Sequence, residues 1–256
     1  MELPRNEFKR QLARPGVTFG LFSGLVDAAA AEVVAGAGFD WMLIDGEHAP
    51  HDLRSILDQL RATAAHDTPV LVRAETGDTV LIKRLLDLGV LTLLVPMVES
   101  ADQAARIVAA TRYPPAGVRG VATAVNRAAR WGMVDGYLTQ ADDEMCVVCQ
   151  IESVAGTESI ESIAAVAGVD ALFVGPSDLA ASMGLIGRSG HPDVVAAVDD
   201  AIDRIIAAGL PAGVFATTPA LVERWTARGA TFVAVGVDLA LLAKAAIDLA
   251  ARYRSL

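Results

Sequence analysis

Short runs of β-branched and aliphatic residues alternate along this chain with longer stretches in which Ala and Leu recur at helical spacing. Such alternation predicts repeated βα units around a parallel sheet. The apolar runs predict eight strands, at residues 18–23, 41–45, 70–73, 92–96, 146–151, 171–174, 212–215 and 232–235. Helical spacing predicts helices over 27–37, 52–64, 79–88, 101–110, 194–208, 219–228 and 238–253. Gly38, Gly89, Gly209 and Gly229 stand where those helices should stop. Asp238 is placed to cap the exposed amides of the last helix. Eight strands with intervening helices predict one (β/α)8 barrel of the TIM type, an α/β fold spanning residues 1–256 as a single domain.

Only one region breaks the rhythm. Residues 111–144 carry YPPAGVRG and then an Arg-rich, Trp-containing stretch, too long for an ordinary connection. Two readings stand for it: an insertion that shapes specificity or subunit contacts, or a structural covering layer.

Composition narrows the function. A length of 256 residues and a hydrophobic content of 53% suit a barrel whose strands are covered by helices. A formal net charge of -10 opposes nucleic-acid binding, which draws on clustered Lys and Arg. The only lysines, Lys9, Lys83 and Lys244, form no polybasic segment to hold an acidic membrane. The N-terminal stretch MELPRNEFKRQLARPG lacks a signal-peptide core, so a cytoplasmic protein is expected. Cys146 and Cys149 lie three apart inside a strand-like run, where alternate side chains face opposite ways. They are expected to be buried core residues, with redox or metal chemistry as the lesser alternative.

Active sites of parallel barrels sit at the C-terminal strand ends, so the polar groups that follow each apolar run carry the interest. WMLIDGEHAP brings Asp45, Glu47 and His48 to the end of strand two, and VLVRAE brings Arg73 to the end of strand three. VVCQIES adds Gln150 and Glu152, and ALFVGPSDLA adds Asp178. Glu152 and Asp178 offer hard oxygen ligands for Mg2+, Mn2+ or Co2+, or else serve as helix caps. His48 could be oriented by Asp45 as a general acid or base, or be an ordinary loop histidine. Arg73 could stabilise a developing oxyanion or form a salt bridge across the barrel top. His51, His66 and His191 occupy polar loop contexts. The glycine-bearing runs GVFATT and AVGVD could cradle a phosphate, on weak grounds. A Schiff-base mechanism needs an amine facing the substrate from a strand, and none of the three lysines falls on one.

Taken together, GFDWMLIDGEHAP, LLVPMVES, ATRYPPAGVRG, QIES, FVGPSDL and FVAVGVD resemble the HpcH/HpaI aldolase family through nearly the whole chain. The resemblance implies a divalent-metal-dependent aldolase, reversibly cleaving 4-hydroxy-2-keto acids to pyruvate and an aldehyde through an enolate. It implies Glu152 and Asp178 as metal ligands, Arg73 beside the donor oxygen, and His48 with Asp45 as acid/base pair. Gly175, Pro176 and Ser177 correspond to the backbone around the donor carboxylate. The resemblance further implies a homohexamer, two trimers paired by exchange of the last helix, with Asp87 completing a neighbouring subunit's site. Phe22 and Phe215 depart from the family pattern on the acceptor side, which leaves acceptor size open, and Ser177 stands in place of an Ala, adding a hydroxyl near the donor. The alternatives are hydroxypyruvate as donor, a CoA-thioester lyase, and a non-catalytic metal-binding scaffold.

Overall fold

The computed structural model describes residues 1–254. The sequence first forms a short helix, α1 (Glu7–Leu12), and strand β1 (Thr18–Ser23). Then come α2 (Ala28–Ala35), β2 (Trp41–Asp45), α3 (Leu53–Ala62), β3 (Val70–Arg73), α4 (Thr79–Asp87), β4 (Thr92–Val95) and α5 (Ala101–Thr111). After the long connection with its short helix α6 (Tyr137–Gln140) follow β5 (Cys146–Ile151), α7 (Val154–Glu158), α8 (Ile160–Ala164), β6 (Ala171–Val174) and α9 (Pro176–Ser182). The chain ends with α10 (Pro192–Ala207), β7 (Ala212–Phe215), α11 (Pro219–Ala227), β8 (Phe232–Val237) and α12 (Asp238–Arg254). Each strand pairs in parallel with its sequence neighbours, and β8 returns to β1, closing the barrel.

Local chemistry starts the helices where the polar pattern indicates. Asp27 caps α2 through the amides of Ala29 and Ala30, and Asp52 with Ser55 forms a reciprocal capping box on α3. Asp78, Ser100 and Thr218 cap α4, α5 and α11 in the same way. Each satisfies donors that have no partner within the helix.

Two apolar layers follow from strand alternation. Inward-facing Phe22, Leu43, Leu71, Val148, Phe173 and Phe232 fill the barrel, while Ile44, Val72, Val95, Val147 and Val174 meet the surrounding helices. Cys146 belongs to the inner layer and Cys149 to the outer one, so the two thiols face apart. Both are free and buried, and burial pushes both thiols up, Cys149 to about 12. Such groups are poor nucleophiles.

The barrel floor is closed from outside the barrel sequence. Phe8 of α1 stacks edge-on against Trp41 at 5.9 Å and Phe232 at 5.6 Å. A side chain at Gly20 would collide with the Trp41 ring, and one at Gly213 with the Phe232 ring, so these glycines make room for the plug. Asn6, which caps α1, also donates to Leu91 O at 3.1 Å and Glu144 O at 2.9 Å, fastening the segment across the floor.

The long 112–144 connection lies between a helix and the strand that follows, which puts its ends on this floor side. Its buried Arg119 sits 4.6 Å from the Tyr113 ring centroid, and its Nη2 donates to the Tyr137 hydroxyl at 2.9 Å. A small core of Tyr113, Ala128, Ala129, Val134 and Tyr137 holds the segment. It also leaves Val118, Val121, Val125 and Trp131 exposed.

Asp238 does more than start the last helix. Its buried carboxylate accepts from the Gly24 amide at 2.8 Å, Ser23 Oγ at 3.0 Å and the Leu239 amide at 2.7 Å, tying β1 to β8. Beyond it α12 is exposed along its length, including Leu241, Leu242, Ile247, Leu249 and Tyr253. Among the described residues, no helix is long and apolar enough to cross a membrane.

Candidate active site

A cavity of about 270 Å³ opens at the C-terminal strand ends, lined by Phe22, Asp45, His48, Arg73, Gln150, Phe173, Gly175, Pro176, Ser177, Asp178 and Phe215, among others. Nearly every sequence-predicted site residue therefore converges on one mouth. Three do not line it. Glu152 lies just behind the wall, Glu47 sits in the loop between Asp45 and His48, and Asp87 lies elsewhere in the subunit.

Arg73 is the centre of the charge arrangement. The β2–β3 register sets it opposite Asp45. The guanidinium then donates Nε to Asp45 Oδ1 at 2.8 Å and Nη2 to Asp45 Oδ2 at 2.7 Å. This two-pronged pairing fixes the guanidinium plane. Burial works most strongly against the Asp45 charge, but the Arg73 bonds and the amides of His48 and Glu47 outweigh it and hold the carboxyl below its usual range. The third nitrogen, Nη1, lies 3.0 Å from Glu47 Oε2, although that oxygen, buried, lacks a properly aligned hydrogen bond.

This geometry revises the part expected of Asp45. Its oxygen accepts from the His48 backbone amide at 3.3 Å, and no hydrogen bond joins it to the imidazole. The Asp45 carboxylate is consumed by Arg73 and by the turn that follows β2. The His48 ring is 63% exposed and has its Nε2 3.8 Å from Glu47 Oε2. Glu47, carried in the same loop, is thus the carboxylate nearest the imidazole.

Glu152 is 2% exposed. Its Oε1 accepts from the Met97 amide at 2.8 Å and its Oε2 from Gln150 Nε2 at 2.5 Å. Met97 reaches that amide position with φ 52, a left-handed conformation uncommon for a side chain of this kind. Burial pushes the Glu152 carboxyl up to about 7; the Glu47 and Asp178 charges add to this, and Met97 and Arg73 oppose it. A Cβ on Gly175 would come within 2.6 Å of Glu152 Oε2 and 2.9 Å of Gln150 Nε2. Glycine there lets the chain pass close over the carboxylate before Pro176 opens α9, whose first turn carries Asp178.

Asp45, Glu47, Glu152 and Asp178 gather near one arginine, and Glu47 Oε2 and Gln150 Oε1 are buried without a hydrogen bond. Carboxylates gathered with too little positive charge suit a hard divalent cation. Among the described residues no cluster of three or more His, Cys, Asp or Glu is set to hold a metal. Glu152 and Asp178 are two carboxylates that could offer oxygens to such an ion, with its other positions left to small ligands.

The apolar wall is aromatic. Phe22 and Phe215 meet edge-on at 5.3 Å, and the Arg73 guanidinium carbon stands 5.3 Å from the Phe22 ring centroid. Gly24, Val237 and Leu239 also line the cavity. They come from the β1 and β8 ends that Asp238 joins, and no polar signal in the sequence marks them.

Asp87 ends α4 on the floor side, where its Oδ1 accepts from Asn126 Nδ2 at 3.0 Å. It contributes nothing to the mouth of its own subunit.

Fold and site together define a barrel enzyme of the kind that works at the C-terminal ends of parallel strands, here with an acidic, arginine-anchored mouth. The sequence profile of the HpcH/HpaI aldolase/citrate lyase family matches residues 18–245. The chain belongs to that family. It is 52% identical over 254 residues to a hydroxypyruvate/pyruvate aldolase of Pseudomonas aeruginosa, covering 99% of this chain and 95% of that one. It is 50% identical to a 4-hydroxy-2-oxo-heptane-1,7-dioate aldolase of Salmonella dublin, covering 97% and 95%. The crystal structure of a family member from Burkholderia cenocepacia J2315 superposes with a TM-score of 0.92 at 40% identity, covering 97% of this chain and 99% of that one.

Proposed function

We propose that this protein is a divalent-metal-dependent aldolase, a carbon-carbon lyase that reversibly cleaves 4-hydroxy-2-keto acids to pyruvate and an aldehyde. The observation that carries the reading is the convergence of Asp45, His48, Arg73 and Asp178 on one mouth, with the buried Glu152 just behind its wall. Membership of an aldolase family and the names of its relatives agree with it.

Glu152 and Asp178 would hold Mg2+, Mn2+ or Co2+, which when bound supplies an electrophile that draws charge from the keto oxygen of a 2-oxo acid. The chain's own groups do the rest. Arg73 holds Asp45 with two nitrogens and has Nη1 3.0 Å from Glu47 Oε2, so its charge is fixed beside the mouth before substrate arrives, where it stabilises the enolate oxygen. The turn of Gly175, Pro176 and Ser177 borders the donor carboxylate. His48, at the open rim, takes the proton from the C4 hydroxyl during cleavage and returns it to the aldehyde oxygen during addition. Phe22 and Phe215 form the apolar side of the cavity and limit the acceptor's bulk.

Hydroxypyruvate is a second donor, favoured by the Ser177 hydroxyl at the donor turn and by the name of the Pseudomonas aeruginosa relative. The CoA-thioester reading has no basic cluster at the mouth to support it.

The same reading includes a homohexamer acting in the cytoplasm, two trimers joined by exchange of α12. Support comes from the apolar residues that α12 leaves exposed and from Asp87, which stands outside its own mouth and is available to a neighbour's.

A retro-aldol screen of several 4-hydroxy-2-keto acids, read by pyruvate release with and without Mg2+, Mn2+ and Co2+, tests the function. Metal-dependent release that EDTA abolishes, and that the double variant Glu152→Gln, Asp178→Asn lacks, is expected. Turnover that survives chelation would overturn the proposal.

A further inference from the structure

A second cavity, of about 330 Å³, lies at the opposite end of the barrel, among the N-terminal strand ends and beside the plug helix. Arg5, Arg127 and Arg130 line it together with His66. In a chain of net charge -10, three guanidinium groups gathered at one hollow need a reason.

None of the three makes an ion pair among the described residues. Arg127 is held in place by neutral acceptors, donating Nη1 to Leu88 O at 2.8 Å and Nη2 to Leu60 O at 3.4 Å. Those carbonyls are at the ends of α4 and α3, so the guanidinium is fixed by backbone while its charge stays uncompensated. Burial pushes Arg127 down to about 10, and the charges of Arg130 and Arg61 push the same way. Arg5 and Arg130 have no hydrogen-bond partner for their side chains among the described residues. Arg130 is also held at φ 50 by the 112–144 connection, a left-handed backbone conformation. Glu7 and Asp67 reach the same cavity, and neither pairs with a guanidinium.

We propose that this floor cavity is a binding site for a phosphate group, either free phosphate or the phosphoryl end of a small phosphorylated metabolite. Planar guanidinium forks match phosphate oxygens, and a dianion offsets more than one of the unpaired charges at once. The cavity has room for more than the bare ion, and it is separated from the aldolase mouth by the filled barrel.

Isothermal titration of the full protein with inorganic phosphate and, separately, with glycerol phosphate tests this, at constant ionic strength maintained with chloride. Saturable binding is expected, weakened about tenfold by Arg130→Ala or by Arg5→Ala, the loss of one charge-assisted contact. Both variants should keep pyruvate release unchanged, which shows that they are folded and that the ligand is not in the mouth. Tighter binding of the ester assigns the site to a phosphorylated metabolite, and equal binding assigns it to free phosphate. Absence of saturable binding to the wild type, or affinity unchanged in both variants, would overturn the proposal.

Discussion

At the scale of single residues, the pairing of Arg73 with Asp45 governs what substitution should do. Removing the guanidinium takes away an oxyanion donor, worth about 3 to 4 kcal/mol of transition-state stabilisation, so Arg73→Ala should lower kcat/KM by at least a hundredfold. It also strands the buried Asp45 and half-buried Glu47 carboxylates, so its melting temperature should fall below the wild type's as well. Arg73→Lys keeps a charge but cannot hold both Asp45 oxygens, and it should recover stability more than turnover. Steady-state kinetics beside thermal unfolding separates the two effects; a fully active Arg73→Ala removes Arg73 from the chemistry. These site residues were legible in the sequence because each follows an apolar run that ends at the barrel mouth. What the sequence withheld was their pairing. Spacing set Asp45 beside His48, yet the strand register gave its carboxylate to Arg73, a residue 28 positions away. The role of Met97, whose backbone amide meets Glu152, had no side-chain signal at all.

Elements show the same division. Six strands have the bounds that the apolar runs predict, β4 ends one residue sooner, and β8 extends by two, because buried parallel strands are continuous apolar runs with sharp polar ends. The helix α1 gives no helical period because its six residues carry only one apolar pair, Phe8 and Leu12, and α7, α8 and α9 are too short for a period to emerge. The close fit of β1 against the Trp41 ring of β2 predicts that Gly20→Ala, with a methyl driven into that ring, costs about 1 to 3 kcal/mol in chemical denaturation. For α12 the exposed apolar residues predict that Leu242→Asp with Ile247→Asp shifts the assembly to smaller species in sedimentation, while each barrel remains folded. An unchanged sedimentation coefficient would argue against exchange of this helix. Mixing Arg73→Ala with Asp87→Ala subunits should restore activity that neither has alone, if Asp87 serves a neighbour.

Across the whole molecule, acid should loosen the floor. Glu144 accepts from both Arg10 and the Asn6 amide, and the Arg10 bond foremost holds its carboxyl below the usual range. A carboxyl depressed on folding adds stability that is complete above its unfolded value near 4.5 and is lost as pH falls through the lower, folded value. Glu144→Gln should therefore cost about 1 to 2 kcal/mol at neutral pH and flatten the acid limb of a stability profile. A limb of unchanged slope would deny Glu144 that part. The plug gives the molecule a timetable as well as a floor. Phe8 leaves the ribosome long before one of its two aromatic partners, Phe232, which follows seven strands later. The plug helix must wait, unsatisfied, while the strands between are made, and a truncated product lacking β8 should display that aromatic to chaperones.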